Sequence, residues 1–140
     1  MKLNIRPRAG LMLAGLLCGL AVQPLAAQTA DTSAARQLER FSGLAGAPGQ
    51  PERGRAFFSS TQGGEWSCSS CHGAPPTAAG KHASTGKAIG ALAPAFNPKV
   101  FTDTARVDKW FRRNCNDVAR RECSAAEKAD VLAWLISLKP

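Results

Sequence analysis

Residues Trp66–Pro76 read WSCSSCHGAPP. Cys68, Cys71 and His72 form C-x-x-C-H within this stretch, and that order is the attachment signature of a c-type haem. The two thiols would add to the two vinyl groups as thioethers. The adjacent His72 would carry its imidazole under the ring and bind iron on the proximal side. Two other readings of the motif are weaker. A zinc site built on Cys68 and Cys71 would need two more thiolates, and it leaves His72 without a role. A thioredoxin-like pair would need a βαβ framework, and the chain has no convincing period-2 strand. His72 is expected to donate its second ring N–H to a backbone carbonyl near a proline, which orients the ring. Pro94, in LAPAFNP, is the candidate.

Upstream of the motif the chain opens MKLNIRPRAG, with Lys2, Arg6 and Arg8, then runs apolar from Leu11 to Val22 and on to QPLAAQ. A basic start, a short apolar stretch and small residues predict a secretory signal over residues 1–27, cut near Ala27. The run is too short to span a bilayer comfortably, so no membrane span is expected in the mature protein. Cys18 follows Leu17, where a lipid-attachment site wants a small residue. Export to the periplasm places the remaining cysteines in an oxidising compartment. Two of these belong to C-x-x-C-H, and Cys115 and Cys123 are free to make a disulfide. Beyond residue 27 the chain holds 15 Lys+Arg against 10 Asp+Glu. Two haem propionates would reduce that surplus, so no nucleic-acid partner is needed to explain it.

The organisation reads as an N-terminal segment, 28–50, and one small domain, 51–140. A short helix is expected over roughly Thr32–Leu44 from Leu38, Phe41 and Leu44. A second should start at Pro51, a residue suited to a first helical turn. Gly54 inside it must be tolerated, or used where another helix crosses closely. Residues 73–100, with Pro75, Pro76, Pro94, Pro98 and several glycines, read as loop. Thr102 or Asp103 can cap a helix in which Val107, Trp110, Phe111 and Asn114 share one face. Ser124 and Glu127 form a capping box ahead of a helix carrying Val131, Leu132, Leu135 and Leu138, with Trp134 beside that stripe. The expected fold is all-α, a few helices around one covalently attached haem c that supplies apolar bulk to a thin core.

The opposite face of the iron is the harder question. Methionine is a common second ligand in electron-carrying cytochromes c, but here the methionines are Met1 and Met12, both in the signal. His82 lies within reach of the site and sits in a polar loop. Lys81, Lys87, Lys99 and Lys109 would each have to lose a proton and their hydration. Asn114 continues the apolar face of Val107, Trp110 and Phe111, where a buried amide needs a partner. It could equally be a helix C-cap bonded to backbone. Cys115 and Cys123 would lie about 12 Å apart on one straight helix, beyond the roughly 7 Å a disulfide allows. A disulfide between them therefore requires a turn, and would hold Asn114 beside it.

GKHASTGKAIGALAPAFNP, FTDTARVDKWFRRNCNDVARREC and SAAEKADVLAWLISLK resemble the SHP (sphaeroides haem protein) family, class I-like cytochromes c. The resemblance runs from about Gly54 to the end of the chain. It implies Cys68 and Cys71 as haem attachments, His72 as proximal ligand, Asn114 as distal ligand and Cys115–Cys123 as a disulfide. It also implies that the asparagine leaves the iron on reduction, so that small diatomics such as O2, NO and CO bind. The implied redox partner is a dihaem cytochrome c. Two other functions stay open: a plain electron carrier, and a small reductase acting on O2, peroxide or nitrogen oxides. No acid/base pair supports the latter. Arg106, Lys109, Arg112, Arg113, Arg120 and Arg121 cluster around the Asn114 segment. That cluster is either a docking surface for an acidic partner or a solvated helix face.

Overall fold

The computed structural model describes residues 31–140. The signal and its cut near Ala27 lie outside the described residues. The chain order is α1 (Ala34–Ala45), α2 (Pro51–Ser59), α3 (Cys68–His72), β1 (Gly80–Lys81), β2 (Ala88–Ile89), α4 (Thr104–Ala119) and α5 (Ala125–Ser137).

Local chemistry sets the helix ends. Ser33 caps α1, its hydroxyl accepting from the Arg36 N–H, and α1 stops at Gly46 in the left-handed conformation. Pro51 opens α2. The Asp103 carboxylate caps α4 by accepting from the Arg106 N–H at 2.8 Å. Before α5, Ser124 and Glu127 each accept the other's backbone N–H. Arg121 reinforces this box with two hydrogen bonds to the Glu127 carboxylate.

Helix α5 is the centre of the domain. Residues 129–135 are buried without a break, as expected of a helix covered all round. Helices α1 and α2 both pack on it. Gly54 marks the α2 crossing, since a Cβ there would overlap the Asp130 carbonyl. Two groups of side chains fill the interior. Phe41, Val107, Ala129 and Leu132 form one, with Leu38, Phe101 and Phe111 against it. Phe58, Val131, Trp134 and Leu135 form the other, joined by Cys68, Leu92 and again Phe101 and Phe111.

Two expectations change. Residues 73–100 are not all loop: β1 and β2 pair antiparallel, Gly80 with Ile89 and Lys81 with Ala88. Each strand is two residues long, too short for any alternation to appear in the sequence. Leu44 is 69% exposed rather than packed with Leu38 and Phe41. The buried partner of Phe41 on α1 is instead Gln37, whose amide is hydrogen-bonded.

Candidate functional site

The C-x-x-C-H residues lie on α3. Ser67 starts this helix with a capping box, its hydroxyl accepting from the Ser70 N–H while Ser70 accepts from the Ser67 N–H. A little over one helical turn thus carries Cys68, Cys71 and His72 together. Both thiols are free and half-buried. Burial pushes the Cys68 thiol up to about 11, with Cys71 adding to the rise, so this thiol stays protonated. Burial also holds His72 below the ordinary histidine value, which favours the neutral imidazole that binds iron. Its ring lies 6.2 Å from that of Phe58, which in turn packs on Trp134.

His72 Nδ1 is buried and has no hydrogen-bond partner, so the expected Pro94 carbonyl does not reach it. The reason lies in the chain path. The Leu92 and Ala93 N–H groups both bond to the Pro76 carbonyl, and the chain then turns about the Ala93 carbonyl. That turn carries Pro94 to a surface depression beside Ser33, Ala34 and Ile136. A buried ring nitrogen left unsatisfied by protein is rare. That nitrogen is the one expected to face a carbonyl, so the fit to a haem c attachment site rests instead on two free thiols and a neutral imidazole on one turn.

The β1–β2 hairpin lies against α3, a contact that sequence reasoning missed. A Cβ on Gly80 would overlap the Cys71 carbonyl and crowd the His72 Cα. The Ala83 N–H donates to Cys71 Sγ at 3.3 Å. His82 belongs to the hairpin tip, where its Nδ1 faces the Ser84 hydroxyl and the Thr85 N–H. The signals for this element in the sequence were Gly80 and, at the turn, Gly86, and glycine alone does not distinguish a close approach from a flexible loop.

Helix α4 carries the other candidate. Val107, Cys115 and Val118 are buried along its inner face, and Phe111 packs against both interior groups. Asn114 is half-buried. It sits one turn beyond Trp110 on the shoulder of that face; Trp110 is 45% exposed and has the Arg113 guanidinium 5.5 Å over its ring. Because α4 runs on to Ala119, Asn114 is mid-helix, and the C-cap reading is removed. Phe111 on α4 and Cys68 on α3 pack against the same buried cluster, so the helices bearing the two candidate ligands share one core.

Helix α4 ends where Arg120 takes φ +58°, the turn that the Cys115–Cys123 spacing requires. The two sulfurs lie 1.97 Å apart with Cα atoms 5.6 Å apart. A four-thiolate zinc site would need these two cysteines beside Cys68 and Cys71. Among the described residues no helix is long and apolar enough to cross a membrane.

Comparison with known proteins shows the family and the overall fold. Residues 45–135 match a family described as a domain of unknown function, DUF1924. The chain is 49% identical over 129 residues to cytochrome c-type protein SHP of Cereibacter sphaeroides, covering 89% of this chain and 95% of that protein. It is 42% identical over 80 residues to cytochrome c'' of Methylophilus methylotrophus, covering 57% of this chain and 56% of that one. The structure superposes on oxidised SHP, described as an oxygen-binding cytochrome c, with a TM-score of 0.72 and 52% identity, covering 77% of this chain and 99% of that one. Oxidised cytochrome c'' gives a TM-score of 0.68 at 32% identity, with coverage of 76% and 95%.

Proposed function

The chain belongs to the SHP family of class I-like cytochromes c, and from that premise we propose that it is a periplasmic mono-haem cytochrome that transfers electrons and, once reduced, frees a distal position for a small diatomic ligand. A haem c held here supplies a one-electron couple and an iron position open to O2, NO or CO. Cys68 and Cys71 hold it through thioethers. His72, kept neutral by its buried setting, is the proximal ligand. Asn114 is the distal ligand of the oxidised state. Cys115 and Cys123 form a disulfide that ties the end of α4 to the start of α5. The signal-like first 27 residues support export, and the redox partner is a dihaem cytochrome c.

One observation carries this reading. Asn114 stands half-buried in the middle of α4, in a chain with no methionine after Met12. An amide oxygen is a hard, neutral, weak donor, suited to ferric rather than ferrous iron. With haem c bound, reduction would therefore weaken the hold of Asn114, while His72 would remain as the ligand that suits both valences. The test is the visible spectrum of oxidised and reduced protein, with CO titrated into the reduced form, for the wild type and Asn114→Ala. We expect the substitution to change the ferric spectrum while reduced protein of both kinds binds CO. A reduced wild type that stays six-coordinate and ignores CO is a plain electron carrier.

A further inference from the structure

Helix α1 and the residues before it grip the first half of α4 at successive turns. Asp31 Oδ1 accepts from the Thr104 N–H at 2.9 Å and from the Thr104 hydroxyl at 3.2 Å, while the Asp31 N–H donates to the Thr102 carbonyl. Gln37, 1% exposed, donates its amide to the Thr104 hydroxyl at 3.1 Å. Its oxygen accepts from Arg40 Nε at 2.9 Å. The other arm of Arg40 forks onto both oxygens of Asp108. One turn further on, the Phe41 ring meets Phe111 edge-on, with centroids 5.4 Å apart. Thr104, Asp108 and Phe111 thus form a row along α4 that helical spacing continues at Cys115, and Asn114 is the residue before it, on the flank of that row.

We propose that the Arg40–Asp108 fork is a positioning device for Asn114: it fixes the rotation and depth of α4 from α1 and so sets how well the Asn114 amide reaches the iron. This rests on Asn114 being the distal ligand. As a source of stability the pair is minor, because its side chains are 33% and 44% exposed and exposed ion pairs contribute little. Its value is directional, since a two-pronged guanidinium–carboxylate contact fixes orientation as well as distance. A weak amide donor cannot draw its own helix into place, so the scaffold has to hold that helix.

The test uses full-length haem-loaded protein and two readouts, the affinity of the ferric form for azide and the reduction potential. Asp108→Asn and Arg40→Gln each break the fork. Each is expected to tighten azide binding about five-fold, at the low end of typical coupling between sites, and to raise the potential, because a weakened Asn114 bond stabilises the ferric state less. In an Asn114→Ala background the same substitutions should change neither readout. The swapped pair Arg40→Asp with Asp108→Arg should return both toward wild type, and it serves equally if a single variant does not fold. Wild-type values in Asp108→Asn, or equal shifts with and without Asn114, overturn the proposal. If Asn114→Ala itself moves neither readout, the distal-ligand reading falls and takes this proposal with it.

Discussion

An amide and a thioether differ in which iron valence they favour, and position 114 is where that difference can be tested. Asn114→Met puts a soft donor on the same helical shoulder. Because a thioether keeps a good bond to ferrous iron, the variant is expected to stay six-coordinate on reduction and to lose CO binding, read from the reduced spectrum with and without CO. CO binding equal to wild type would separate diatomic access from the identity of this residue. The C-x-x-C-H spacing predicts Cys68, Cys71 and His72 together, and α3 carries them on little more than one turn; the lack of a late methionine is what singles out Asn114 as the proposed distal ligand. The setting of His72 could not be read. Whether Pro94 approaches the ring depends on where the Leu92 and Ala93 N–H groups bond, and they bond to Pro76. Such a pairing between distant segments leaves no mark in local composition.

Helices with a chemical start signal were legible as elements. Pro51, Asp103 and the Ser124–Glu127 box each open the helix expected of them. The β1–β2 hairpin was not legible, because it exists by lying on α3. Gly80 shows why: its missing side chain makes room for the Cys71 carbonyl, a requirement known only once both segments are placed. Gly54 is the converse. A helix-interior glycine already suggested a close crossing, and α5 supplies it, with the Asp130 carbonyl where a side chain would go. Gly54→Ala is therefore expected to destabilise the fold by about 2 kcal/mol, as overpacking does, against a gain of under about 1 kcal/mol from helix propensity. Urea denaturation followed by circular dichroism would measure it. A variant as stable as wild type would mean that α2 and α5 cross less tightly than described.

Across the whole molecule two charge features act on different surfaces. At the α2–α5 crossing, Asp130 is 6% exposed and accepts from the Gln50 N–H and from two nitrogens of Arg53. Burial alone would raise its pKa; the Arg53 bonds and the Gln50 N–H outweigh burial and bring it below the usual carboxylate range. Its stabilising effect is thus complete above roughly pH 4, the ordinary aspartate value, and is lost as pH falls through the lower folded value. Thermal melts across that window should lose less on acidification in Asp130→Asn than in wild type, and parallel losses would remove Asp130 from the account. The second feature is the outward side of α4 and the turn after it. Arg106, Lys109, Arg112 and Arg120 are exposed, and none is among the ion pairs found between described residues. If this side docks an acidic redox partner, its field should speed encounter when the Debye length is about 30 Å, at 0.01 M salt, and do so far less at about 8 Å, near 0.15 M. Reversing Arg106, Lys109 and Arg112 to glutamate is then expected to slow reduction by a dihaem cytochrome c about tenfold at the lower salt, within the range known for electrostatic steering, and to leave little difference at high salt. Stopped-flow rates against ionic strength measure both. A salt-independent rate, or a charge-reversed variant as fast as wild type at low salt, would make the cations an ordinary solvated face and move the docking surface elsewhere on the domain.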